Sequence, residues 1–175
     1  MLKIKNKNAI QGIMSFLQFN KEESKSDNKP VYRADEIAAY IIDKSISDGN
    51  PVSNLKLQKL LYYVQAASLL RRNEVLFSDD IVAWRYGPVV KIVYNIYKYY
   101  SRDDINERTG QDHSNIDEES REIIDLVLEK KAKCSAIDLV EATHNEQPWI
   151  ETNLNDVIPI STIREYFSKN EGILW

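Results

Sequence analysis

Cysteine occurs once, at Cys134, so no internal disulfide framework can be drawn, and the chain suits a reducing cytosol. On a helical stretch such a residue reads as a small apolar side chain. The five glycines, at 12, 49, 87, 110 and 172, never cluster, which excludes a Walker-type or dinucleotide phosphate cradle. No apolar run approaches the ~20 residues of a membrane span. Lys3, Lys5 and Lys7 precede an apolar stretch from Ala9 to Phe19, but Gln11 and Gln18 interrupt it and no small-residue cleavage site follows. The expected location is the cytoplasm. A basic excess is missing too: the formal charge is -4 with both signs interspersed, which argues against nucleic acid as the main partner.

What is present is a globular composition. The 175 residues match one domain on the usual prior, and 43% hydrophobic content gives a core to bury. Near the N-terminus, Ile10, Ile13, Met14 and Leu17 recur at i, i+3, i+4, i+7, the spacing of an amphipathic helix, with Asn8 as a candidate cap. The polar stretch from Asn20 to Pro30 offers nothing to a core and ends in a helix-blocking proline. Residues 1–30 therefore read as a helix on a linker, and residues 31–175 as the domain proper.

Within the domain, Ala34, Ile37, Ala38, Ile41 and Ile42 mark a helix that Asp48-Gly49 ends. Ser53 can cap a longer one with Leu57, Leu60, Leu61, Val64 and Ala67 as its stripe. Val75–Phe77 and Ile81–Trp84, separated by Ser78-Asp79-Asp80, predict a small hairpin. Pro88 is expected at the first turn of a helix that buries Val89, Ile92, Val93, Ile96, Tyr97 and Tyr100. After an exposed loop from Ser101 to Asn115, helices are expected over Asp117–Lys133, Ser135–His144 and Ser161–Ser168, with Ile123, Ile124, Ile137, Leu139, Ile163, Tyr166 and Phe167 among their buried residues. The predicted fold class is mainly α, a compact single-domain helical bundle with one small β-hairpin.

Candidate chemistry is sparse. Glu141 and His144 form one Glu-x-x-His pair, which di-iron bundles need twice; the other histidine, His113, follows Gly110 and supplies no second copy. A Cys134–His144 nucleophile pair lacks an orienting third residue. Placing Gly110 at the turn of a calcium loop would put Ile105 and Ile116 at ligand positions, where isoleucine cannot coordinate. No catalytic residue, metal or cofactor is expected. A winged helix-turn-helix, with Asn54, Lys56, Gln58 and Lys59 facing DNA, is the alternative, opposed by Asp79 and Asp80 at the wing tip. The stretch Trp84 to Val89 has two readings. It is a corner packed by aromatics, which residue type favours and which would bury Trp84, or it is a partner surface of hot-spot residue types.

Three spaced segments carry a resemblance: Leu55-Lys-Leu-Gln-Lys-Leu-Leu-Tyr-Tyr63, then Ala83-Trp-Arg-Tyr-Gly-Pro-Val89, then Thr143-His-Asn-Glu-Gln-Pro-Trp149. In this order they resemble the Panacea domain, the SocA-like antitoxin family that also includes phage-associated GepA-type proteins, over roughly residues 32–170. The resemblance implies a helical antitoxin of a two-gene toxin–antitoxin pair, often on a phage or prophage, that neutralises a cognate protein toxin by direct binding. One branch instead delivers its toxin to a protease. It also makes Leu57, Leu60, Leu61, Tyr62, Tyr63, Trp84, Tyr86, Gly87, Pro88, His144, Pro148 and Trp149 a structural signature. A DNA-binding regulator of the same operon remains the alternative. The N-terminal helix lies outside the resemblance; through Ile10, Ile13, Met14 and Leu17 it is expected to contact the toxin, its own domain or a second copy in a homo-oligomer.

Overall fold

The structure, a computed structural model, describes residues 31–175. The N-terminal segment with Ile10, Ile13, Met14 and Leu17 lies outside the described residues. Among those residues seven α-helices surround one another with two two-stranded antiparallel sheets at the margins. None of these helices is long and apolar enough to cross a membrane.

Helix α1 (Ala34–Ser47) buries Ile37, Ala38, Ile41 and Ile42 as the spacing predicts. Its first turn is closed from a distance: Asp79 accepts the Ala34 N–H at 2.7 Å. Strand β1 (Val52–Ser53) leads into helix α2 (Asn54–Arg71), where the Ser53 hydroxyl accepts the Lys56 N–H at 3.3 Å. Fourteen of the 18 residues of α2 are buried, so it has no solvent face to speak of and forms the axis of the molecule. The expected stripe is therefore only part of its buried surface.

The hairpin is displaced from its predicted place. Strands β2 (Ile81–Trp84) and β3 (Gly87–Val90) pair with Trp84 opposite Gly87, around a two-residue turn of Arg85 and Tyr86. Gly87 sits at φ +94°, outside the range most L-residues adopt, which explains glycine at the end of this turn. Val75–Phe77 is not a hairpin strand because its main-chain groups go to the Gln65 side chain and to Tyr32, whose N–H donates to the Leu76 carbonyl at 2.9 Å. Gln65 Oε1 accepts from Leu76 and Phe77 N–H at 2.8 and 3.2 Å, and Gln65 Nε2 donates to the Phe77 carbonyl at 2.9 Å. The other edge of β2 is filled by the chain near residue 156: Asn155 N–H donates to Ala83 and Ile158 N–H to Ile81, at 2.7 and 2.8 Å.

Pro88 thus lies in a strand, and helix α3 (Lys91–Tyr97) starts three residues later than predicted. Val93 and Tyr97 are buried, but Ile92 and Ile96, expected inside, are 39% and 41% exposed. The predicted loop is anchored rather than free. Strand β4 (Asp104–Ile105) pairs with β1, burying Ile105. The Asp43 carboxylate accepts from Thr109 N–H and Oγ1 at 2.8 and 2.7 Å and meets His113 Nε2 at 2.9 Å.

Helix α4 (Glu118–Lys131) is capped by Asp117 and buries Ile123, Ile124, Val127 and Leu128. Helix α5 (Ala136–His144) opens on a capping box between Ser135 and Asp138. It buries Leu139 and Val140 and leaves Ile137, expected inside, in solvent. Cys134, just before it, is half-buried. A four-residue helix, α6 (Gln147–Ile150), adds to the elements the spacing predicts, with Pro148 in its first turn. Helix α7 (Ile160–Lys169) seats Ile163 and Phe167 in the core, with Tyr166 half-buried. The rings of Tyr62 and Tyr63 both meet Phe167, at 5.7 and 6.1 Å.

Candidate partner-binding site

Lys59 is the residue around which the distant segments assemble. It is fully buried in α2, and its ammonium donates to the Pro88 carbonyl at 2.9 Å. One residue earlier, Gln58 accepts the Val90 N–H at 2.9 Å through Oε1 and holds Asn54 Oδ1 through Nε2, also at 2.9 Å. Strand β3 is thereby paired with β2 on one edge and with two α2 side chains on the other. Gly87 is packed into this junction. A Cβ there would lie 2.6 Å from Thr143 Oγ1, 2.8 Å from Lys59 Nζ and 2.9 Å from Lys59 Cε.

The third segment closes the same junction. Tyr63 donates to Glu146 Oε1 at 2.9 Å, with both side chains buried. The Trp149 indole N–H donates to the Trp84 carbonyl at 3.0 Å, and His144 stacks on Trp149 with ring centres 4.1 Å apart. So Tyr63, Trp84, Gly87, Pro88, His144 and Trp149 meet in one place, while Leu57, Leu60, Leu61 and Tyr62 line the core beside them. Pro148 is buried at the start of α6. Tyr86 alone points outward, 59% exposed. Trp84 is half-buried, less than expected, and rests edge-on against Tyr94 with ring centres 4.9 Å apart.

Burial dominates the electrostatics here. It pushes the Lys59 amine down to about 7 from 10.5, with no carboxylate among the described residues to oppose it. It pushes the Glu146 carboxyl up to about 7 from 4.5, against the pull of the Tyr63 hydrogen bond and the Lys131 charge. Lys131 itself lies over the Tyr63 ring, 4.2 Å from its centre, and donates to the Ile173 carbonyl at 2.7 Å. Gln58, Lys59, Thr143 and Glu146 were not identified as part of this junction from the sequence. Thr143 alone carried a sign, a polar side chain continuing the Leu139–Val140 face of its helix; Gln58 and Lys59 lie off the apolar stripe of theirs.

That burial also overturns the helix-turn-helix reading of this helix. Asn54, Gln58 and Lys59 are buried and hydrogen-bonded within the domain, and Lys56, half-buried, donates to the Ala132 carbonyl at 3.3 Å. Asp79, assigned to a wing tip, caps α1 instead. Among the described residues no group of three or more His, Cys, Asp or Glu side chains is placed to hold a metal ion.

Outside the buried junction, the hairpin turn and α3 enclose an open cleft of about 480 Å³ lined by Leu55, Trp84, Arg85, Tyr86, Tyr94 and Lys98, among others. The model of the SocA-like antitoxin, Panacea domain, matches residues 57–150, more than half of the chain and all three segments of the junction. The chain belongs to the SocA-like Panacea family. It is also similar to Antitoxin SocA of Caulobacter vibrioides (strain NA1000 / CB15N), 31% identical over 128 residues that cover 65% of this chain and 66% of that protein, just under two thirds of its length. No solved structure matches. The Panacea match begins inside α2, at Leu57, and ends with α6, at Ile150, so it takes in the Lys59 junction and most of the cleft lining but neither α1 nor α7.

Proposed function

We propose that this chain is an antitoxin that neutralises a cognate protein toxin by direct binding, in the cytoplasm and without catalysis. The observation that supports it most is the Panacea match across residues 57–150, which coincides with the buried junction. The polar groups in that junction that an enzyme would use are engaged in holding elements together: Lys59 on Pro88, Glu146 on Tyr63, Trp149 on Trp84. What remains for recognition is surface. The amphipathic segment with Ile10, Ile13, Met14 and Leu17 is a second contributor to binding, since a short isolated helix needs a surface to order it.

The test is growth rescue with the transcriptional route removed. The reading frame beside this chain is expressed from a foreign promoter, alone and with this chain. Rescue accompanied by a co-purifying complex is the expected result. Rescue without any complex would mean neutralisation by another route.

A further inference from the structure

Residues 81–102 contain no aspartate or glutamate, but carry Arg85, Lys91, Lys98 and Arg102, in a chain where acidic residues outnumber basic ones by 27 to 23. The structure folds this stretch into the hairpin and α3. Of the charged side chains lining the cleft between them, both are cations, Arg85 and Lys98. Among the described residues neither has a carboxylate within ion-pair distance: Lys98 meets Asn95, at 3.4 Å, and Arg85 lies 5.8 Å from the Tyr86 ring centre. Around them stand Trp84, Tyr86 and Tyr94; the exposed Ile92 and Ile96 lie on the opposite face of α3 and take no part in the cleft.

We infer that this cleft docks an acidic segment of the toxin, with one or two carboxylates placed between Arg85 and Lys98 and an apolar or aromatic side chain against Trp84 and Tyr86. The inference rests on the antitoxin reading and gives it a surface. Trp, Tyr and Arg are the side chains that contribute most to protein interfaces, and charge complementarity selects the partner's sign. The chain's own residues 1–30 carry six lysines against Glu22, Glu23 and Asp27, a net charge of the same sign as the cleft, so that segment is the poorer occupant. A nucleic acid strand would need a longer basic track than two cations supply.

The experiment titrates the protein encoded by the adjoining reading frame into the full chain by calorimetry, at low and high salt. The chain is taken as wild type, as Arg85→Glu/Lys98→Glu and as Tyr86→Ala. All three positions are exposed, and melting temperatures serve as the folding control. The expected result is at least about tenfold weaker binding for the double variant, a clear loss for Tyr86→Ala, and a shallower salt dependence for the double variant than for wild type. Arg85→Lys/Lys98→Arg should restore most of the affinity. Equal binding by wild type and both disruptive variants would overturn the cleft while leaving the antitoxin reading intact. No binding by wild type would take both down. The cleft assignment also fails if the double variant loses only a single-stranded oligonucleotide probe, or only self-association, with toxin affinity unchanged.

Discussion

The ammonium of Lys59 lies 2.8 Å from where a β-carbon on Gly87 would stand, and it is held there by the Pro88 carbonyl next along the chain. A helix residue and a turn residue thus each fix the other's identity. Gly87→Ala would force a side chain into φ +94° and into contact with Thr143 and Lys59 together. Backbone strain and overpacking each cost about 1–3 kcal/mol, so a loss of about 2–6 kcal/mol is expected in urea unfolding. Wild-type stability in Gly87→Ala would show that the junction is looser than its distances imply.

Lys59 and Glu146 should shape stability against pH in opposite directions. The Glu146 carboxyl is raised to about 7 from 4.5, so the folded state holds the extra proton; its contribution is present below pH 4.5 and lost as pH rises to about 7. The Lys59 amine is lowered to about 7 from 10.5, so its contribution is present above pH 10.5 and lost as pH falls to about 7. The wild-type profile should therefore dip near neutrality. Asp43 and Asp117, whose carboxyls are lowered, act below pH 4 and leave this window clear. Denaturant midpoints measured from about pH 4 to 9 check this, below the range in which the buried Tyr62 and Tyr63 hydroxyls, raised by burial, withdraw stability. Glu146→Gln should flatten the acid limb and Lys59→Met the alkaline limb, though Lys131, also lowered by burial, preserves some alkaline slope.

Trp84 is half-buried, so Trp84→Ala should cost about 2–3 kcal/mol, below the 3–5 kcal/mol of a fully buried aromatic. The Trp149 bond survives on paper because its acceptor is the Trp84 main-chain carbonyl. If the cleft binds the toxin, affinity should fall by more than the lost stability explains. A variant that melts like wild type and loses the partner completely would make Trp84 a contact residue with no part in the fold.

Residues 1–30 give a further prediction. A chain starting at Lys29 should remain folded and monodisperse, yet protect cells less well, because Ile10, Ile13, Met14 and Leu17 are gone. Light scattering and a growth assay decide it; full protection would place recognition wholly on the domain.

Much of the bundle was legible in the sequence because helical spacing and caps are local signals. Ser53, Asp117 and Ser135 cap helices where residue type alone places caps. The hairpin was not legible, because the partners of Val75–Phe77 are the side chain of Gln65 and the main chain of Tyr32, tertiary choices that no short window contains. Pro88 suits a helix start as well as a strand edge; Gln58 and Lys59 decide for the strand. The junction was half legible. The aromatic, glycine and proline positions stood out, whereas Lys59 and Gln58 have surface chemistry and were naturally read as facing solvent or DNA. Their burial became visible only once α2 proved to be surrounded on every side.

The most direct test of neutralisation by binding is a titration of the purified chain into a fixed amount of the toxin encoded beside it, following complex formation and toxin activity in the same samples. The account predicts that activity falls in step with complex formation and reaches its floor at the stoichiometric point. Full toxin activity in a saturated complex, or lost activity without a complex, would contradict it.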